Sequence, residues 1–301
     1  MKAVDSRTTP SRRLLHAGLL AVSAATSGAF AAEDPFSGVE VAAVHVSGAV
    51  HMLTTGVGGN IAVTVGDDGV LIVDDQFLPL AERIQNAIDE IGGGRPGFVL
   101  NTHYHGDHVG GNRHFGEAAV IVAHSNVRTR LAADEKVVPV ALPVVTFDEA
   151  LSIHFNGDDI AVFHLPAGHT DGDSAVWFKS SNVLHLGDQL FSGRFPYIDL
   201  EAGGTVQGYI ANLESVIKSA PADVKVIPGH GPLTNIDGVR QAAAVIRATR
   251  DTVARAIAEG MKVDAIIEAG LGDEYAEWGS GFINEENWIR ILAMDIAQRG
   301  H

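Results

Sequence analysis

The chain has 301 residues, with 21 Lys and Arg against 37 Asp and Glu, a formal net charge of -16 and no cysteine. So acidic a surface repels phosphate backbones and argues against nucleic acid as a partner. The missing cysteines exclude disulfides and thiolate ligands, so any bound metal is held by nitrogen and oxygen alone.

Arg12 and Arg13 precede a weakly apolar run from Leu14 to Phe30, and Ala29-Phe30-Ala31 has the small-x-small form of a cleavage site. Residues 1–31 therefore read as a secretory signal, with a twin-arginine resemblance in Ser11-Arg12-Arg13-Leu14-Leu15. Its removal leaves 17 basic against 36 acidic residues, a net charge near -19. The mature protein, residues 32–301, is then expected in the periplasm or outside the cell. No stable membrane insertion is expected once the signal is gone, because no later segment is apolar enough to span a bilayer.

From Val39 to Val65 apolar residues alternate, which predicts strands on either side of the glycine-rich stretch Thr54 to Asn60, a mobile hairpin tip. Asp67-Asp68-Gly69 turns into Val70-Leu71-Ile72-Val73, a continuous apolar run that predicts a strand covered on both faces. Leu80, Ile84, Ile88 and Ile91 recur at helical spacing, and the glycines 92–94 stop that helix. Phe98 to Leu100 is a short strand, Ala119 to Ala123 another, and Leu151 to His164 a hairpin turning on Asn156-Gly157. His154 and His164 lie on its strands as packed or solvated side chains. Strands follow at Ser174–Phe178, Val183–Leu186 and Val224–Ile227, with a long loop, Gln189 to Val206, and a helix through Ile210, Leu213 and Ile217 between the last two. The tail is helical over Ile236–Glu259, Asp264–Ala269 and Glu285–Gln298, the last entered through Asn284 as N-cap.

The chemistry concentrates in Asn101-Thr-His-Tyr-His-Gly-Asp-His-Val-Gly-Gly-Asn112. His103 and His105 are two apart and point the same way from extended backbone; Asp107 and His108 follow where Gly106 lets the chain turn. Imidazole with carboxylate is what zinc or non-haem iron takes. Three later residues, His169, Asp188 and His230, each stand beside glycine just past a predicted strand. Seven ligands exceed one tetrahedral ion but suit two that share a bridge: His103, His105 and His169 on one, Asp107, His108 and His230 on the other, and Asp188 spanning both.

The His-x-His-x-Asp-His motif followed by His, Asp and His resembles the metallo-β-lactamase superfamily over roughly Val44 to Leu233. The resemblance implies an α/β fold, the four-layer αββα sandwich, with a dimetal site at one edge of the sheets, two zinc ions per chain, and Asp74 beside the metal loop. The spacing from His169 to Asp188 and on to His230 is similar to that of the class B1 lactamases. Asp188, however, stands where those enzymes have cysteine, as in the glyoxalase II branch, and Phe191 stands where a lysine holds the antibiotic carboxylate.

The expected function is an exported binuclear zinc hydrolase in which Asp107 and Asp188 orient a metal-bridging hydroxide. It attacks a C–N or C–O bond of a β-lactam-like amide, lactone or ester, or a thioester, in a small-molecule substrate. Phe191, Arg194, Phe195 and Tyr197 on the long loop are candidates for substrate contact, with Arg194 as a substitute anchor. Two alternatives stay open: a glyoxalase II-like thioester hydrolase, and a mononuclear iron oxidoreductase like the persulfide dioxygenases, which would use only His103, His169 and Asp188.

Overall fold

Alternating strands and unbroken apolar runs build the first sheet together. The computed structural model describes residues 35–299, so the expected signal at residues 1–31 lies outside the described residues. Seven strands run in sequence order: β1 (Ala42–Ser47), β2 (Val50–Thr54), β3 (Ile61–Gly66), β4 (Gly69–Val73), β5 (Phe98–Asn101), β6 (Val120–His124) and β7 (Val145–Phe147). The first four are antiparallel meanders, while β4 to β7 pair in parallel and need crossovers. The second sheet has the order β13-β12-β11-β10-β9-β8, from β8 (Ala150–Phe155), β9 (Asp158–His164), β10 (Ser174–Phe178), β11 (Val183–His185), β12 (Lys225–Ile227) and β13 (Thr234–Asn235). Asn156 and Gly157 at the β8–β9 turn have φ of 53° and 74°, the double left-handed conformation that a two-residue hairpin turn requires.

The two sheets face each other across one apolar layer. Val50, Met52, Leu71, Val73, Leu100 and Val122 from the first interdigitate with Phe155, Ile160, Val162, Val176, Phe178 and Ile227 from the second. Because side chains alternate, Val70 and Ile72 of β4 turn to the opposite face, where α1 (Ala81–Glu90) buries Ile84 and Ile88. On the far side of the second sheet, Ala175, Leu184 and Val226 meet Tyr209, Ile210 and Leu213 of α5 (Val206–Ser219). The αββα sandwich follows from two sheets that are each apolar on both faces.

The helical tail extends that outer layer. The helices α6 (Ile236–Ala258), α7 (Val263–Ala269) and α8 (Glu285–Arg299) continue the same core, with the Trp288 indole fully buried and donating to Thr249 Oγ1 at 3.0 Å. Asn284 caps α8 by accepting from Asn287 N. Among the described residues no helix is long and apolar enough to cross a membrane.

Candidate metal centre

Parallel strands deliver their carboxyl ends to one edge, and the chemistry collects there. Leaving β5, the chain carries His103 and then His105, whose carbonyl accepts from the amides of His108 (2.9 Å) and Val109 (3.1 Å) to start α2 (Gly106–Val109). Asp107 and His108 therefore stand on a helical turn rather than on a simple glycine bend. Asn101 and Asn112, the two ends of the motif, clasp each other through paired amide bonds of 3.1 and 2.9 Å, which closes the loop. His169 comes from the β9–β10 connection, Asp188 from the turn Gly187–Gln189 after β11, and His230 from the turn after β12. Glycine is required where backbone passes the ligands: a Cβ at Gly59 would collide with the His108 ring, and one at Gly229 with the Asp188 carboxylate.

All seven candidate ligands converge. The donor atoms of His103, His105, His169 and Asp188 lie within 4.8 Å of one another, as do those of Asp107, His108 and His230. Asp188 reaches both sets: Oδ2 is 3.7 Å from His103 Nε2 and 3.5 Å from His169 Nε2, while Oδ1 is 3.1 Å from His108 Nε2 and 3.3 Å from His230 Nε2. Asp107 Oδ2 lies 3.4 Å from His230 Nε2. His154 and His164 stay outside; the first is solvent-exposed and the second stacks on His124 at 4.0 Å.

Ring orientation shows what the cluster is built to hold. His169 Nδ1 donates to the Tyr197 carbonyl at 2.8 Å, so Nε2 carries its lone pair. His105 Nε2 faces Asp199 Oδ2 at 3.0 Å, which leaves the lone pair on Nδ1. These two lone pairs face each other at 2.8 Å and need a positive charge between them. His103 Nε2, His108 Nε2 and Asp188 Oδ1 are likewise buried without an aligned hydrogen-bond partner. Five imidazoles and two carboxylates around such orphaned atoms fit a pair of borderline divalent cations.

The protonation equilibria divide the site. Burial, helped by neighbouring His108, holds His103 well below the ordinary imidazole range, and burial takes His169 down to about 4. For His108 burial acts the same way but is outweighed by Asp188, Asp107 and Asp74, which raise it well above that range. His230 is likewise lifted against its burial, to about 9, by Asp188 and Asp107. Asp188 is held well below the usual carboxylate range by His230, His108 and His103 despite full burial.

Asp74 stands directly behind the second set. Its carboxylate accepts from His108 Nδ1 at 2.7 Å and from the Thr102 amide and hydroxyl at 2.7 and 2.8 Å. Of the long-loop candidates, Arg194 and Tyr197 line the cavity above the ligands; Phe191 also borders it, although its ring is mostly buried and stacked on His230 at 4.7 Å. Phe195 does not reach the cavity. It is 1% exposed and stacked on Trp288, so it anchors the loop to the core instead of meeting substrate. The glycine-rich stretch expected as a free hairpin tip is exposed only around Gly56 and Val57. Gln76 Nε2 pins the tip by donating to the Thr55 hydroxyl and to the carbonyls of Val57 and Gly59, and Gly59 and Asn60 are buried, with Asn60 binding the carbonyls of Pro228 and Gly231.

Two features escaped sequence reasoning. Phe282, from the turn before α8, is 83% exposed and forms part of the cavity wall. Asp199 pairs with His105. The only signal for either was membership of a loop, and loops carry no periodicity to read.

Comparisons with known proteins agree with this geometry. The sequence pattern of the metallo-beta-lactamase superfamily matches residues 54–230, the span that holds every candidate ligand. A metallo-beta-lactamase type 2 of Bacteroides fragilis is 29% identical over 134 residues, 44% of this chain and 52% of that protein. A hydroxyacylglutathione hydrolase of Methylococcus capsulatus is 32% identical over 143 residues, 46% of this chain and 49% of that one. The chain thus spans about half the length of these curated relatives. Among solved structures, a metallo-beta-lactamase from Pontibacter korlensis superposes with a TM-score of 0.59 at 18% identity, covering 69% of this chain and 99% of that one, a likeness of fold.

Proposed function

The chain belongs to the metallo-beta-lactamase superfamily, and from that premise we propose that it is a binuclear zinc hydrolase acting on a small lactam, lactone, ester or thioester. The observation that carries this reading is the convergence of seven nitrogen and oxygen donors from four separate connections, with His105, Asp107, Asp188 and His230 among them lining one cavity.

His103, His105 and His169 would hold one ion, Asp107, His108 and His230 the other, and Asp188 both. When bound, the ions supply a water acidified from a pKa of about 15.7 to about 7 and a Lewis acid for the substrate carbonyl. Asp107 is the ligand carboxylate that both borders the cavity and keeps part of its surface open, so its carboxylate is placed to take a water proton and hand it to the leaving group. Asp188 is buried beneath and orients the imidazoles. Asn60, also at the wall, spends its amide on the carbonyls of Pro228 and Gly231 and holds the His230 turn in place.

The cavity has a volume of about 760 Å³, enough for a drug-sized molecule, and its walls are Val57, Phe77, Phe191, Tyr197 and Phe282. Arg194 lines it as well, with a guanidinium that makes no hydrogen bond or ion pair among the described residues. The favoured substrate carries an apolar group for the walls and an anionic group for Arg194. The enzyme acts outside the cytoplasm after residues 1–31 are removed, which N-terminal mass analysis of the secreted chain tests.

The decisive experiment counts metal ions on the purified mature chain and assays it against a chromogenic cephalosporin, a lactone and a glutathione thioester. Two zinc ions and hydrolysis of one panel member, lost in His103→Ala, are expected. A single iron ion with oxygen consumption would replace this reading by an oxygenase.

A further inference from the structure

We infer that a second cavity, walled by Val109, Leu131, Val137 and Val138 and lined as well by the exposed side chains of Arg113 and Lys136, is a binding site for a small amphipathic anion: one carboxylate on a medium-length aliphatic body. The inference needs neither a bound metal nor the reaction proposed above.

Short local pieces build the walls. The helical turn α3 (Asn112–Phe115) buries Asn112 and Phe115 and leaves Arg113 exposed. The helix α4 (Ser125–Ala133) buries Leu131 and runs into a turn in which Asp134 Oδ1 accepts from the Lys136 amide at 2.9 Å, and the Asp134 carbonyl from the Val137 amide at 2.9 Å. That turn brings Val137 back onto Val109 and Leu131, in a small apolar cluster separate from the two main cores. A single tight turn, Pro139–Ala141, then fixes Val138, whose carbonyl accepts from the Ala141 amide at 2.9 Å.

The cavity has a volume of about 430 Å³, within the roughly 300–1,000 Å³ of small-molecule sites. Its lining has only His105 and Gly106 in common with the larger cavity. Arg130 and Asp134 also lie on its walls, but both are engaged: Arg130 pairs with Asp171 through two bonds of 2.8 and 2.7 Å, and Asp134 holds the turn just described. Arg113 and Lys136 make no side-chain hydrogen bond or ion pair among the described residues. In a chain with 37 acidic residues against 21 basic ones, partners for these cations are plentiful, yet neither is neutralised. With Arg130 and Asp171 cancelling, two free cations stand against the one carboxylate of Asp134, an excess of one positive charge. A singly charged anion balances it. The aliphatic floor would strip water from an inorganic ion without replacing its hydrogen bonds, so the ligand must also carry carbon that gains from burial.

Titrating octanoate into the purified chain, labelled at its valine and leucine methyl groups and followed by NMR, tests this. The methyls of Leu131, Val137 and Val138 should shift, with a Kd on the order of 1 mM. Octan-1-ol, with the same tail and no charge, and acetate, with the same head and no tail, should each bind about tenfold more weakly or worse. Arg113→Glu combined with Lys136→Glu reverses two exposed charges and should weaken octanoate about tenfold at an unchanged melting temperature. Equal binding of octan-1-ol, undiminished binding of octanoate to the double variant, or shifts confined to Val57 in the larger cavity overturns the inference. Phosphatidylglycerol vesicles present the other source of such an anion; if they shift these methyls and free octanoate does not, the surface meets a bilayer and the inference falls. None of these readouts involves hydrolysis, so failure of the proposed reaction and failure of this site are separate results.

Discussion

The two halves of the candidate metal centre are built from the same residue types and are prepared for a cation in opposite ways. Around His103 and His169 burial dominates, so these rings are neutral near pH 7 and offer lone pairs at once. Around His108 and His230 the carboxylates of Asp107, Asp188 and Asp74 dominate, so the metal-free chain keeps protons on these rings to balance the negative charge. The difference teaches that, in the binuclear site proposed above, the first position would bind an ion by filling a gap and the second by exchanging protons for one. Asp188 belongs to both and ties the two equilibria together.

The strongest way to break the comparison is to remove what the halves share. Asp188→Asn should cost both ions and lower turnover by more than the roughly 10–100-fold that loss of an outer partner costs; metal counts with steady-state rates measure this, and retention of either ion at full affinity contradicts the bridge. Asp74→Ala acts mainly on one side. By removing the acceptor of His108 Nδ1 it should weaken the second ion about 10–100-fold and the first, which it reaches only through the Thr102 hydroxyl beside His103, by less, as read by stepwise chelator titration.

Proton counting sharpens the contrast without mutation. Calorimetry in buffers of different ionisation enthalpy at pH 7 should show about one proton or more released with the second ion and close to none with the first. Since His230 sits at about 9 and His169 at about 4, the sign is set. Raising the pH from 6 to 8 should strengthen second-ion binding about tenfold per unit for each proton displaced and barely alter the first. Equal release at both steps would erase the distinction. The smallest effect is expected outside both halves: Phe282→Ala should raise KM a few-fold for substrates with bulky apolar groups and leave kcat and metal content alone, as a kinetic series over acyl size would show.

Much of the fold was legible because it repeats. Alternation in Ile61 to Val65 and the unbroken run Val70 to Val73 left few options but strands, and Asn156-Gly157 named its own turn. The tail helices ended within a residue or two of where their apolar spacing ended, with Asn284 capping α8. Short or weakly patterned pieces were not legible. In the helix Ser125–Ala133 only Val127 and Leu131 are buried, too few to mark a face, and β13 is two residues long. The turn at Asp107 and His108 looked like a glycine bend because a single helical turn has no period. Phe195 and Tyr197, two positions apart in one loop, had equal claims on the substrate; contact with Trp288 took the first into the core and left the second at the cavity.

By itself the sequence determined which atoms were available to a metal and where glycine had to stand beside them, since donor chemistry and steric bulk belong to the residue and its immediate neighbours. Only the tertiary structure decided which nitrogen of each ring faces inward, which rings keep a proton, and that Asp199 belongs to the centre at all. Those properties depend on contacts such as that of His105 with Asp199, 3.0 Å across 94 positions of the chain, which no local pattern encodes.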